Sequence, residues 1–346
     1  VRIVNKMQVC WECPSNIALV KYWGKKEGQL PLNPSLSFSL KEARTKTRVV
    51  LLPAGNRRVN FLFEGKPSPF AGRVERYLEL LSREMPWINH YTFRIESQNT
   101  FPHSTGIASS ASAFGALALC LADLDRQLSG AADDGQPFLQ KASKLARVGS
   151  GSASRSVYPG FTWWGKSAIL AGSSDEHAIS IHEQIFPGYY ELRDAVLLID
   201  SGRKHVSSSA GHELMNAHPY KSIRIEQANT NAVKLLQLMQ TGHYDRFFEL
   251  VEQEAFSLHA LMMSSSPPCL LLKPNSLRVI EKIRHFREQS GLPVGLTIDA
   301  GPNIHFLYFK KNQEEIHRFI ESELLSLLEN GAWLDDGIGD GPVKVE

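Results

Sequence analysis

Residues Pro102-His103-Ser104-Thr105-Gly106-Ile107-Ala108-Ser109-Ser110-Ala111-Ser112-Ala113 form a small-residue loop that runs straight into an alanine-rich segment, where a helix is expected from about Ser109. A helix start leaves backbone N–H groups unpaired and carries the positive end of the helix dipole. Gly106 and its small neighbours let phosphate oxygens approach, and the serine hydroxyls add donors or a metal contact, so the loop is a candidate phosphate cradle. It is not a Walker A loop, because no Lys-Ser or Lys-Thr follows a glycine at the required spacing. An ordinary serine-capped helix has the same composition and stays open as the alternative.

Outward from this loop, alternating runs at 8–13, 35–40, 47–52, 59–63 and 91–96 read as antiparallel strands. A helix at about 70–84 interrupts them, its apolar face carried by Val74, Tyr77, Leu78, Leu80 and Leu81. A helix at 137–147 and a strand at 161–164 follow the loop. A second block holds a strand at 195–200, helices at 220–239, 244–263, 276–289 and 313–328, and strands at 294–299 and 303–309. Loop-like composition at 173–175 and 186–189 places a boundary near 190, giving two α+β domains, 1–190 and 191–346.

The 346 residues are ample for two cores, and 38 Lys and Arg against 36 Asp and Glu leave a formal charge of +2. No bulk positive field marks a nucleic-acid or membrane binder, so an anionic ligand has to be met locally. No stretch is apolar for long enough to span a bilayer. Four cysteines are too few for a disulfide framework, and without a secretory leader at the N-terminus a reducing cytoplasm is expected. Cys10 and Cys13 make a C-x-x-C with no second pair, which reads as two small residues of a first strand ahead of a metal or redox role.

Four further segments carry candidate chemistry. Gly149-Ser150-Gly151-Ser152-Ala153-Ser154-Arg155-Ser156 combines a freed backbone, hydroxyl donors and, in Arg155, a fork for phosphate or carboxylate. Lys21-Tyr22-Trp23-Gly24-Lys25-Lys26 sets three lysines around two aromatics, which a solvated basic turn also does. Lys204 to Gly211 brings Ser207, Ser208 and Ser209 to a helix start. In Asp299-Ala300-Gly301-Pro302-Asn303 a carboxylate ends an apolar strand, so a lysine or arginine is expected to reach Asp299 in the fold; capping of the turn is the alternative.

With Asn16-Ile17-Ala18, Asn33-Pro34-Ser35-Leu36-Ser37 and Val206-Ser207-Ser208, these motifs in this order resemble the diphosphomevalonate decarboxylase family of the GHMP kinase superfamily. The resemblance implies a ribosomal-S5-like α+β N-terminal domain, a ferredoxin-like α/β C-terminal domain and a cleft between them, usually in a cytoplasmic homodimer. It implies ATP- and Mg2+-dependent decarboxylation of mevalonate 5-diphosphate to isopentenyl diphosphate, with release of ADP, phosphate and CO2. Asp299 would be the principal catalytic residue, with Lys21 beside it and Arg155 on the substrate carboxylate. Tyr22, Lys25 and Ser208 would hold the diphosphate, and Asn16, Ser150 and Ser152 would line the same site. Gly106, Ile107, Ala108, Ser109, Ser110 and Ser112 would carry ATP, with Ser110 in contact with Mg2+. The chain departs from the pattern at Ile107, where Leu is usual, at Ala113, where Gly is frequent, at His103 and Ser104, and at Ser154, where Cys is common. A mevalonate 5-phosphate decarboxylase, a mevalonate 3-kinase and a non-catalytic paralogue are the competing readings. The glycine pattern at 337–342 reads as loop and edge strand.

Overall fold

The computed structural model describes residues 7–55, 58–101, 107–131, 135–200, 202 and 208–346, the side chains of Ser208 and Ser209 excepted. The strands are β1 (Gln8–Ala18), β2 (Ser35–Pro53), β3 (Val59–Phe63), β4 (Lys66–Pro67), β5 (Tyr91–Asn99), β6 (Phe161–Trp164), β7 (Ala178–Ser180), β8 (Leu192–Leu197), β9 (Gly295–Ile298), β10 (Ile304–Phe309), β11 (Trp333–Gly337) and β12 (Val343–Lys344). The helices are α1 (Ala71–Leu81), α2 (Ser109–Ser129), α3 (Gln136–Gly149), α4 (Ser208–Leu214), α5 (Lys221–Thr241), α6 (Tyr244–Met263), α7 (Pro274–Ser290) and α8 (Gln313–Phe319). Two sheets result, one ordered β12-β1-β2-β5-β3-β4 with β6 and β7 branching from β2, the other ordered β11-β8-β10-β9.

Alanine content explains the central helix. Small side chains let α2 sit deep against β1 and β2, and from Ala111 to Leu124 almost every residue is buried. A Cβ at Gly115 would come within 2.5 Å of the Cys13 sulfur, so the helix touches the strand at this point. Cys10 and Cys13 are free and buried, as two small strand residues should be. At its other end, the buried Asp123 accepts from Trp11 at 3.0 Å and pairs with Lys344 of β12 at 2.8 Å.

Several boundaries differ from the sequence reading. The runs at 35–40 and 47–52 belong to one strand, β2. Its pairing with β1 shifts register between Pro14 and Asn16, so that residues 40–43 bulge out. The buried Asp336 of β11 fills that bulge, accepting the backbone N–H groups of Lys41, Glu42 and Ala43 at 2.8, 3.0 and 2.9 Å. Strand β3 pairs with β5 in parallel rather than antiparallel fashion, since α1 provides a crossover between them. Strand β8 stops at Leu197 because the next free N–H groups, those of Ile199 and Asp200, donate to the Asn303 side chain. The helix expected to reach 328 ends at Phe319 and continues as a π turn, Ile320–Leu324. The C-terminal tail supplies β11 as an edge strand, then returns β12 to the first sheet, across the division drawn at 190.

One apolar cluster joins the two sheets, with Ile17, Leu36, Phe38 and Phe161 packed in the same core as Leu192, Val196, Leu235 and Phe247. The layers therefore hold a fixed relation, and the ends of β1 and β9 meet at their junction.

Candidate active site

The junction opens into a cavity of about 230 Å3 lined by the end of β1 and the loop after it, the start of α2, the turn after α3, and the end of β9. Lys21 follows β1, and its Nζ pairs with Asp299 Oδ1 at 2.7 Å while donating to the Ala18 carbonyl at 2.8 Å. The lysine side chain is 3% exposed and the aspartate 25%, so the pair is sealed on the lysine side and open on the carboxylate side. The cation expected beside Asp299 is thus Lys21, from a position 278 residues away.

Both backbones of this pair are held by buried polar groups. Asn33 Nδ2 donates to the Lys21 carbonyl at 3.1 Å, and the Lys21 N–H donates to Glu254 Oε2 at 3.1 Å. Glu254, on α6, is wholly buried and also accepts two N–H groups of Arg224 and one from Asn231. Burial works to raise its carboxyl pKa, yet the Arg224 guanidinium and these donors bring it below the usual value. One turn further along α6, the ring Nε2 of His259 meets the Asp299 carbonyl at 3.1 Å. Burial, with Lys21 nearby, lowers this imidazole to about 4, so at neutral pH it is uncharged and donates through Nε2.

Arg155 closes the opposite wall. It is buried, its Nε donates to Asn16 Oδ1 at 3.2 Å and Ser37 Oγ at 3.1 Å, and its guanidinium lies over the Trp164 ring at 5.7 Å. Its NH1 has no partner among the described residues. Burial lowers the guanidinium to about 10, opposed by Asp299 and Tyr22, which leaves it charged at neutral pH. Asn16 is fixed in turn by donating to the Ser152 carbonyl and the Ser156 hydroxyl. Gly149 and Gly151, expected to free the backbone for a ligand, serve close packing instead: a Cβ on them would lie 2.1 Å from Phe114 and 2.6 Å from the Tyr22 hydroxyl. Ser154 bonds inward to the Gly151 carbonyl, whereas Ser150 and Ser152 line the cavity.

Helix α2 begins with Ala108 in the left-handed region at φ 36° and has no side-chain cap, so the serine-capped alternative is not realised. Ala108 and Ser110 line the cavity, and Ser110 Oγ lies 3.4 Å from Ser150 Oγ. Ser112 turns away, its hydroxyl bonded to Thr45 at 2.6 Å, and Ile107 is buried in the core shared by the two sheets. Ser109 starts the helix without lining the cavity. Gly106 lies outside the described residues, as does the side chain of Ser208.

Tyr22 donates to the Gln29 carbonyl at 3.1 Å, and Lys25 to the Gln29 amide oxygen at 3.0 Å. Burial lowers the Lys25 pKa, Arg73 adding to the shift and Glu213 opposing it. Sequence reasoning passed over Arg73 and His212, both of which line the cavity, and Glu254, which does not. Arg73 looks like any polar residue of an amphipathic helix, His212 follows a serine run that drew the attention, and Glu254 sits in a helix with no motif. The one signal for Glu254 is that Leu250, Val251 and Leu258, three and four residues away on the same helix face, are apolar, so that its carboxylate needs a partner. Lys21, Lys25, Arg73 and Arg155 therefore face a single carboxylate, Asp299, among the described lining residues. The cavity is cationic in a nearly neutral chain.

A helix start and a set of cations gathered where two α+β layers meet is the arrangement expected of a GHMP kinase, and the solved structures that superpose on this chain have that fold. Residues 13–177 match the diphosphomevalonate decarboxylase-like N-terminal domain, and residues 195–331 match the mevalonate 5-diphosphate decarboxylase C-terminal domain. The mevalonate diphosphate decarboxylase of Staphylococcus aureus is 30% identical, with 99% of this chain and 98% of that one covered and a TM-score of 0.85. A structure of MDDEF in complex with MVAPP, AMPPCP and magnesium is 28% identical, with 99% of each chain covered and a TM-score of 0.83. The diphosphomevalonate decarboxylase of Eremothecium gossypii is 29% identical over 89% of this chain and 79% of its own. The chain belongs to the mevalonate diphosphate decarboxylase family.

Proposed function

We propose that the protein catalyses the ATP-dependent decarboxylation of mevalonate 5-diphosphate to isopentenyl diphosphate, releasing ADP, phosphate and CO2. The observation that carries this reading is the Lys21–Asp299 pair at 2.7 Å, facing a buried arginine across a cationic cavity. The substrate is a tertiary alcohol beside a carboxylate, and hydroxide is too poor a leaving group for CO2 to be lost directly.

Asp299 accepts the C3 hydroxyl proton as that oxygen takes the γ-phosphoryl group of ATP. Lys21 orients Asp299 through the ion pair and balances charge as phosphate departs with the C–O electron pair. Arg155 holds the carboxylate so that the breaking carbon–carbon bond aligns with the emptying orbital at C3; its electrons form the alkene and CO2 leaves. Tyr22 and Lys25, with Ser208, hold the diphosphate, which favours it over a monophosphate, and Asn16, Ser150 and Ser152 shape the same wall.

The donors at the start of α2 fit a triphosphate: backbone N–H groups of a helix start without a side-chain cap from Ala108, the Ser110 hydroxyl and nearby cations. Magnesium, when bound, neutralises charge on the transferring phosphoryl group. Ser110 would be its protein contact, since Mg2+ binds mainly through phosphate oxygens and water. Among the described residues no three His, Cys, Asp or Glu side chains cluster as a metal cage.

ADP and CO2 measured in parallel, with ATP, Mg2+ and either mevalonate 5-diphosphate or mevalonate 5-phosphate, test the assignment. Equal release from the diphosphate supports it, and ADP without CO2 replaces it with a kinase. Asp299→Asn should bind ATP normally and lose roughly 10²–10⁴-fold in kcat; near-normal CO2 release would refute the role of Asp299. A homodimer and a cytoplasmic location complete the reading. Four free, buried cysteines suit a reducing compartment, and light scattering and cell fractionation check both points. Among the described residues no helix is long and apolar enough to cross a membrane.

A further inference from the structure

His212, on α4, is 8% exposed and lies against the rings of Tyr22 and Trp23, at centroid distances of 4.5 and 4.7 Å. Its Nδ1 accepts the Gly24 N–H at 3.0 Å. Gly24 adopts φ +83°, and a Cβ there would meet Leu32 at 2.7 Å, so glycine is what allows this N–H to be presented. A ring nitrogen that accepts carries no proton. Burial, together with Lys25 and Arg155, lowers the imidazole to about 3, so the ring is neutral and its one proton sits on Nε2. Among the described residues the ring's hydrogen bond is the one at Nδ1, none is made by Nε2, and the ring lines the cavity with Tyr22 and Lys25.

We propose that His212 is a substrate-binding residue whose Nε2–H donates to the diphosphate of the substrate. The inference rests on the reading that Tyr22 and Lys25 hold that group. Phosphate oxygens only accept, and a half-enclosed donor without a partner gains most when an anionic acceptor arrives. The Gly24 bond and the two flanking rings fix the tautomer and the plane of the imidazole, so no reorganisation is needed on binding.

Two substitutions separate this role from simple capping of Gly24. His212→Asn keeps an acceptor near Nδ1 and removes the Nε2 donor, whereas His212→Gln places an amide N–H near Nε2 and gives up the Gly24 bond. The Asn variant should raise KM for mevalonate 5-diphosphate roughly tenfold, the loss of one hydrogen bond to a charged group, with KM for ATP unchanged. The Gln variant should stay closer to wild type. In the wild-type enzyme, the 15N signal of His212 Nε2 should move on addition of mevalonate 5-diphosphate, a readout that needs no variant to fold. An unmoved signal, or an Asn variant with wild-type KM beside an impaired Gln variant, overturns the proposal and leaves His212 as a cap. Wild-type protein that releases no CO2 from mevalonate 5-diphosphate overturns instead the reaction assigned above, and this inference with it.

Discussion

Glu254→Gln tests whether α6 sets the position of the Lys21–Asp299 pair. Each carboxylate oxygen of Glu254 accepts two bonds: Oε1 from Arg224 at 2.8 Å and Asn231 at 2.7 Å, Oε2 from Arg224 at 2.7 Å and the Lys21 N–H at 3.1 Å. A glutamine fills the same volume but keeps one acceptor and turns an NH2 toward two donors, leaving Arg224 charged and half-partnered in a site where its side chain is 2% exposed. Removing one member of a buried ion pair costs about 3–5 kcal/mol. Unfolding entropy of roughly 2.1 cal/mol/K per residue gives about 0.7 kcal/mol/K for 346 residues melting as a unit, so Tm should fall by about 4–7 °C. Because the Lys21 backbone loses its anchor, kcat should fall as well, by up to about 10²-fold for a displacement near 1 Å, with ATP affinity retained. The carboxyl of Glu254 is held below its ordinary value, so its contribution is complete above the usual carboxylate range and is lost as pH falls through the folded-state pKa. The variant should therefore melt with a weaker dependence on acid pH than wild type. Calorimetry from pH 7 downward and CO2 release under saturating substrates measure these effects. A melting temperature equal to wild type, or a lowered one with kcat intact, would refute the link from Glu254 to Lys21.

Two further outcomes follow from the same geometry. Arg155→Ala should stay folded while losing at least about 10²-fold in CO2 release, and Arg155→Lys should recover little, because a point charge cannot replace the fork bonded to Asn16 and Ser37; an unchanged kcat in either variant moves the carboxylate clamp elsewhere. His212 and His259 are held neutral in the fold, at about 3 and about 4, whereas in an unfolded chain they take up protons below about 6.5. The unfolded state then binds more protons, so stability should decline as pH falls from about 6.5 toward 4, and replacing His259 with Gln should flatten that decline in thermal melts.

Much of the architecture was legible because local pattern and tertiary need agree. The helix at 244–263 was read at its observed limits, since its apolar spacing is the face that packs under β9. The parallel pairing of β3 with β5 was not legible, because period-two alternation is the same in either direction. Nor was the continuity of β2, which depends on an aspartate almost 300 residues away filling its bulge. At the site, the glycines at 149 and 151 were correctly singled out but for the wrong reason, as composition does not distinguish a backbone that must bend from one that must make room.

The sequence by itself determined the chemical inventory: a small-residue loop running into an alanine-rich helix, a lysine-rich aromatic run, a serine-rich turn ending in Arg155, and a carboxylate at a strand end for which a cation was expected. It also excluded a bulk polyanion partner, since the net charge is +2. Only the tertiary structure decided that Lys21 is that cation, that Glu254 and His259 hold the pair from behind, and that Arg73 and His212 face the same cavity. Composition records how many charges a chain carries. Their concentration on one small surface is set by long-range packing between two layers, to which no local pattern in the sequence responds.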